Sequence, residues 1–156
     1  MVNPVVQIAQ PLVQFFEGLG LSVYVDLAGY KTVGYGHLLP RSSRVKNISL
    51  NTARILLASD LASAYKSMGI DVSRTLTEAQ QAAVLSLVFN IGRANFLRST
   101  LRKKILEGDL SAAIEFDKWI YARVNGVYQV VNGLIVRRAN ERHLYETGNY
   151  LQEYPA

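Results

Sequence analysis

The sequence predicts an α+β fold that is mostly helical and carries one small antiparallel β-sheet in its N-terminal part. Helical spacing of apolar residues follows Pro4, and a β-rich stretch punctuated by glycines then covers residues 21–39. Helical patterns return at Ser49 and continue almost to the end of the chain. With 156 residues, 49% of them apolar, the chain is long enough for one domain with a full hydrophobic core.

Capping residues and glycines mark the ends of the first two predicted helices. Asn3 as N-cap and Pro4 at the first helical position begin a helix that ends near Gly18. Ser49 begins a helix of about twenty residues that ends at Gly69 and is long enough to link two lobes. We therefore expect one catalytic domain over residues 1–156, with a sheet-containing lobe at about 19–48, a linking helix at about 49–69, and a helical lobe at about 75–148 on which helix 3–17 packs.

The second half of the chain is predicted to be helical. Thr77 and Gln80 match a capping box, and the following run AAVLSLVF is apolar nearly all round, which indicates a central helix. Shorter helices are expected at about 96–106, 109–120 and 133–147, with a loop over 121–133 between the last two.

Composition excludes several kinds of chemistry. The chain has no cysteine, so disulfides, thiolate zinc sites, iron–sulfur clusters and thiol catalysis are absent. Only His37 and His143 are available as imidazole ligands, and they are far apart in sequence. We expect no metal and no cofactor.

The charge balance indicates an anionic partner. Seventeen basic minus twelve acidic residues give +5, and residues 1–30 hold only Glu17 and Asp26, so the rest of the chain carries +7. A positive surface favours nucleic acid, acidic membrane or a cell envelope rich in phosphates and carboxylates. The first lysine is Lys31 and polar residues interrupt the early apolar run, so we predict no signal peptide and no membrane anchor. A separate protein is then needed to carry the chain across a membrane.

Two carboxyl groups flank the junction between the first helix and the sheet. Glu17 lies in the last turn of its helix, where the helix dipole and the adjacent Phe15 and Phe16 favour a protonated carboxyl. Asp26 is expected at a strand end or turn in a solvated, ionised state, and the hydroxyl of Thr32 follows six residues later. An acid and a carboxylate in different environments are what glycoside hydrolysis requires. The alternative is two surface carboxylates at element ends.

The stretch EGLGLSVYVDLAGYKTVGYGHLL resembles the signature of the phage-type lysozymes, the endolysins of glycoside hydrolase family 24, which reads Glu-Gly, Tyr-x-Asp and Gly-x-x-Thr-x-Gly-x-Gly-His. Later blocks resemble the same family in the same order: LTEAQQAAVLSLVFNIG, FLRSTLRKKILEGD, the pair KW at 118–119 and GLIVRRANERHLYETG. The resemblance implies a two-lobed lysozyme fold that cuts the β-1,4 bond between N-acetylmuramic acid and N-acetylglucosamine in peptidoglycan, without a cofactor.

At the matched positions, Glu17 resembles the general acid, Asp26 the carboxylate that faces the sugar, and Thr32 the hydroxyl that positions the attacking water. The resemblance implies sugar contacts at four further residues, namely Leu38, Phe89, Asn90 and Ser99. Each has a structural alternative, because Phe89 also suits the core of an apolar helix and Asn90 and Ser99 also suit helix caps.

Two supporting roles are also implied. An arginine of the last helix, most simply Arg138 and otherwise Arg137, resembles the family arginine that pairs with the catalytic glutamate. Such a guanidinium favours the ionised carboxylate and so opposes the helix dipole at Glu17. His37 is expected to be structural and paired with a carboxylate, for which Asp71 is our candidate.

We therefore predict a monomeric muramidase that acts by acid and base catalysis, with inversion, on the glycan strands of peptidoglycan. It is expected to wait in the host cytoplasm until a separate holin-like protein permeabilises the membrane. It should bind no nucleic acid and should not insert stably into a membrane, and a basic cluster (Arg93, Arg98, Arg102, Lys103 and Lys104) should attract it to the anionic envelope. The alternatives are a lytic transglycosylase and a basic module that binds envelope polymer or nucleic acid without activity.

Overall fold

A computed structural model describes residues 2–155 of the chain. The helices of that part are α1 (Pro4–Glu17), α2 (Leu50–Met68), α3 (Ile70–Ser73), α4 (Glu78–Ile91), α5 (Arg93–Leu97), α6 (Thr100–Leu106) and α7 (Asn132–Thr147), with a 3-10 helix at Leu110–Lys118. The strands are β1 (Gly20–Val25), β2 (Lys31–Gly34), β3 (His37–Leu38), β4 (Tyr121–Val124) and β5 (Val127–Val130). The predicted α+β class with a small sheet in the N-terminal part is confirmed.

The predicted helix starts are also confirmed. The side chain of Asn3 accepts a hydrogen bond from the backbone N–H of Val5 at 2.8 Å, and Ser49 caps α2 in the same way. Thr77 and Gln80 form both hydrogen bonds of a capping box at the start of α4. Each of these caps satisfies a backbone N–H that would otherwise lack a partner.

The core is built around α4, in which residues 81–88 are all buried. α1 and α7 pack against α4, and α2 contacts α1, α4 and strand β2. This arrangement places the C-terminal end of α1 beside α7 and fixes the three-stranded sheet against α2.

Two segments differ from the prediction. The predicted helix at 96–106 is divided between the end of α5 at Leu97 and the whole of α6, because the side chain of Ser99 caps a new helix at Thr100. The segment 121–133, predicted as a loop, instead contains an antiparallel hairpin of β4 and β5. Its turn residues Asn125 and Gly126 both have positive φ, 51° and 79°, as a two-residue type I′ turn requires, and Asn-Gly is the sequence that favours this turn.

Candidate active site

Glu17 is the last residue of α1, and α7 holds its side chain. Nη1 of Arg137 donates a hydrogen bond to Oε1 of Glu17 at 2.6 Å. The guanidinium is buried, whereas the Glu17 side chain is 23% exposed, so the carboxyl lies at the edge of the core with a path to solvent. Cζ of Arg137 also lies 5.8 Å from the ring centroid of Phe16, within range of a cation–π contact.

The arginine that pairs with Glu17 is therefore Arg137, and the choice of Arg138 was wrong. Successive residues of a helix point about 100° apart, so the two arginines of α7 leave the axis in different directions. Nη1 of Arg138 instead donates to Oδ1 of Asn90 at 2.9 Å and to the carbonyl oxygen of Trp119 at 3.2 Å.

Both arginines share one fully buried carboxylate, that of Glu141. Nε of Arg137 donates to its Oε2 at 3.3 Å, and Nη2 of Arg138 donates to the same oxygen at 3.1 Å. The hydroxyl of Ser86 donates to Oε2 at 2.5 Å. Nε of Arg138 lies 2.6 Å from Oε1, an ion pair whose angle does not make it a directional hydrogen bond. We call Glu17, Ser86, Arg137, Arg138 and Glu141 the buried ion cluster.

The charged groups of the buried ion cluster stabilise one another in the core. Burial lowers the pKa of Arg138, the Glu141 carboxylate raises it, and the neighbouring Arg137 lowers it. A single buried guanidinium would be strongly disfavoured, but two guanidinium groups facing two carboxylates carry no net charge when Glu17 is ionised. Arg137 therefore interacts with two carboxyl groups, those of Glu17 and Glu141.

The sheet places Asp26, Thr32 and Leu38 on one face. Thr32 pairs directly with Tyr24 on β1 and with Leu38 on β3. The backbone N–H of Asp26 donates to the carbonyl oxygen of Tyr30 at 2.9 Å, which extends the same register by one pair. Because directly paired residues share a face and alternate residues return to it, the side chains of Asp26 and Thr32 are diagonal neighbours.

Asp26 is held by its own turn. Its Oδ1 accepts hydrogen bonds from the backbone N–H groups of Ala28 at 2.9 Å and Tyr30 at 2.8 Å. Both bonds use the same oxygen, so within residues 2–155 the second oxygen accepts no hydrogen bond from protein. The hydroxyl of Thr32 is buried and donates to the carbonyl oxygen of Tyr30 at 3.1 Å, which leaves its lone pairs available to accept.

The other predicted sugar contacts have different surroundings. Leu38 is 56% exposed on the sheet, and Asn90 is exposed at the end of α4. Phe89 is half-buried against the core. Ser99 is buried, accepts from the N–H of Arg102 as a helix cap, and donates to the carbonyl oxygen of Phe96, so its hydroxyl is already occupied.

His37 pairs with Asp60, and the choice of Asp71 was wrong. Nδ1 of His37 lies 2.8 Å from Oδ2 of Asp60, which is on α2. In the strand register, His37 of β3 lies directly opposite the buried Val33 of β2 and not opposite Thr32. The His37 side chain is therefore on the face of the sheet opposite to that of Asp26 and Thr32. Asp71, in α3, pairs with Arg102 of α6 at 2.9 Å.

Within residues 2–155, no group of three or more histidine, aspartate or glutamate side chains is arranged to hold a metal ion. A cavity of about 670 Å³ lies in the helical part and is lined by residues such as Gln80, Leu106 and Tyr145. None of its lining residues belongs to the predicted site. No helix of residues 2–155 combines the length and the apolar character needed to cross a membrane.

The sequence reasoning missed Glu141 and Ser86. One available signal was spacing, because Glu141 follows Arg137 by four residues and Arg138 by three on a predicted helix, where such pairs meet. The other was the single hydroxyl of Ser86 in the run AAVLSLVF, since a buried polar group requires a partner.

Comparison with known proteins places this geometry in a family. The phage lysozyme family model matches residues 14–141. The chain belongs to the phage lysozyme family. It is 40% identical over 138 residues to an endolysin of Acyrthosiphon pisum secondary endosymbiont phage 1, covering 87% of this chain and 93% of that one. It is 33% identical to a SAR-endolysin of Enterobacteria phage P21, covering 82% and 76%.

Solved structures agree. The endolysin from Escherichia coli O157:H7 phage FAHEc1 superposes with a TM-score of 0.82 at 26% identity, covering 97% of both chains. The muramidase domain of SpmX from Asticaccaulis excentricus also gives 0.82, at 32% identity, covering 94% of this chain and 98% of that one. The phage lysozyme fold is therefore present, and the chain is a glycoside hydrolase of the lysozyme type.

In this lysozyme, Glu141→Gln should destabilise the folded state by about 3–5 kcal/mol, because it leaves two buried guanidinium groups with one carboxylate fewer. The free energy of unfolding from urea titration measures this. Glu146→Gln is the matched control on the same helix, since Glu146 is 44% exposed in its ion pair with Arg142 and should cost about 1 kcal/mol or less. Equal losses in the two variants would contradict the account of the buried ion cluster.

Proposed function

We propose that this phage lysozyme hydrolyses the β-1,4 bond between N-acetylmuramic acid and N-acetylglucosamine, with Glu17 as general acid and Asp26 as general base. Peptidoglycan hydrolysis for host lysis is the activity of its family. The observation that carries the residue roles is the placement of Asp26. Its side chain lies on the same sheet face as Thr32, and within residues 2–155 its second carboxylate oxygen accepts no hydrogen bond from protein.

Glu17 supplies the proton in this mechanism. The acid must hold a proton before it can protonate the leaving glycosidic oxygen. Arg137 holds Oε1 of Glu17 at 2.6 Å, and the Glu17 side chain remains 23% exposed, so the carboxyl can meet a substrate oxygen. Arg137 is itself held by Glu141 and Ser86, which fixes the position of the guanidinium.

Asp26 and Thr32 act on the water. The free oxygen of Asp26 removes a proton from a water molecule, and the Thr32 hydroxyl orients that water toward the anomeric carbon. Attack from the face opposite Glu17 inverts the configuration, as in glycosidases that hold a water between their two carboxyl groups.

The sugar lies between two walls in this proposal. Leu38 contributes from the sheet, and Phe89, Asn90 and Ser99 contribute from the helical side, with Ser99 limited to contacts beyond its occupied hydroxyl. The two walls belong to one catalytic domain, in which α2 links the sheet-containing lobe to the helical lobe.

The biological setting follows the same proposal. A monomeric enzyme waits in the host cytoplasm and is released to the wall by a separate holin-like protein. In the basic cluster, Arg102 pairs with Asp71 and Lys104 with Glu115, so Arg93, Arg98 and Lys103 are its main source of attraction to an anionic envelope.

Glu17→Gln and Asp26→Asn should each reduce the initial rate of turbidity loss of purified peptidoglycan by at least about a hundredfold, because each removes one proton-transfer group. Both substitutions preserve shape, so the thermal unfolding midpoint should report folding separately. Glu107→Gln, at an exposed carboxylate of the helical part, is the control and should retain full rate. Full activity in either test variant would remove the role assigned to that residue.

The products distinguish hydrolysis from the transglycosylase alternative. Water activated by Asp26 should leave reducing N-acetylmuramic acid ends, and mass spectrometry of the released muropeptides detects them. Ends in 1,6-anhydromuramic acid would show that the sugar's own hydroxyl attacks, and the proposed part of Asp26 would then be wrong.

A further inference from the structure

The hairpin of β4 and β5 exposes aromatic side chains that the catalytic proposal does not use. Tyr121 is 47% and Tyr128 67% exposed. Their rings are stacked, with centroids 5.5 Å apart and an angle of 17° between planes. Burial of large aromatic rings is strongly favourable, so two exposed rings that stack on each other form a patch of the kind that marks a binding site.

The strand register gives the hairpin two different faces. Tyr121 pairs directly with Val130, and Arg123 pairs directly with Tyr128. Since directly paired residues share a face, these four side chains form one surface, which we call the tyrosine face. Val124 and Val127, also paired, lie on the opposite face and are exposed as well.

The hairpin is anchored at the edge of the proposed sugar site. The backbone N–H of Val131 donates to the carbonyl oxygen of Ile120 at 2.9 Å and closes its base. Nη1 of Arg138 donates both to the carbonyl oxygen of Trp119, just before the hairpin, and to Oδ1 of the exposed Asn90. One nitrogen atom therefore contacts both the residue before the hairpin and a residue of the proposed sugar wall, so the base of the hairpin lies next to that wall.

We propose that the tyrosine face is an outer subsite that binds the peptidoglycan strand beyond the bond that is cut. This inference rests on the proposed function, because it takes peptidoglycan as the polymer. A glycan strand continues past the cleaved bond, and the C–H faces of its N-acetyl sugars pack on flat aromatic rings while the phenolic hydroxyls meet sugar hydroxyls. Arg123 supplies a cation on the same face for the carboxylates of the stem peptides.

The test measures binding of an inactive protein to purified peptidoglycan by co-sedimentation. In a Glu17→Gln background, Tyr128→Ala should raise the Kd by about tenfold, because it removes half of the stacked pair. Tyr128→Phe should restore most of the binding, since it keeps the ring. Val127→Ala, one residue away on the opposite face, is the control and should leave the Kd unchanged.

Three outcomes would overturn the inference. These are an unchanged Kd in Tyr128→Ala, an equal loss in Val127→Ala, and binding to anionic phospholipid vesicles that Tyr128→Ala abolishes while binding to peptidoglycan persists. Thermal unfolding of each variant confirms that the fold is retained. The subsite alone is refuted if the wild-type protein hydrolyses peptidoglycan but Tyr128→Ala does not weaken binding in the Glu17→Gln background. The proposed function alone is refuted if Tyr128→Ala weakens binding but the wild-type protein does not hydrolyse peptidoglycan.

Discussion

The structure depends on one partly buried charged contact, the hydrogen bond from Arg137 on α7 to Glu17 at the end of α1. The two residues are 120 positions apart, and the contact joins the first and last helices across the central helix α4. It also places the carboxyl at the edge of the core, 23% exposed. Both the fold and the proposed acid therefore rely on the same guanidinium.

The buried guanidinium groups of Arg137 and Arg138 need a buried counter-charge, because an unpaired charge in the core is strongly disfavoured. Glu141, fully buried and bonded to both arginines and to Ser86, supplies that charge. The same arrangement extends through Arg138 to Asn90 and to the base of the hairpin. One network of hydrogen bonds and ion pairs thus connects the proposed acid with Asn90 of the proposed sugar wall and with the residue before the hairpin.

Local signals in the sequence were sufficient for much of the fold. Caps at Asn3, Ser49 and Thr77 each depend on a few neighbouring residues, so they could be predicted directly. Partners distant in sequence could not, because the choice between Arg137 and Arg138 or between Asp60 and Asp71 depends on how helices pack. The hairpin of β4 and β5 could have been predicted from a local signal, because Asn125-Gly126 favours a two-residue hairpin turn, and the prediction of a loop did not use it. The sheet face shared by Asp26 and Thr32 required the strand register, which spacing alone does not define.

The most direct test of the account is a double-mutant cycle on the free energy of unfolding, with Glu17→Gln and Arg137→Met made singly and together. Because Nη1 of Arg137 lies 2.6 Å from Oε1 of Glu17, the losses in the two single variants should not add, and the coupling energy should be about 1 kcal/mol or more. Arg142→Met, on the same helix but paired with Asp117 and Glu146 at the surface, is the control, and its loss should add to that of Glu17→Gln. Additive losses for Glu17→Gln and Arg137→Met would contradict the claim that this contact joins α1 to α7.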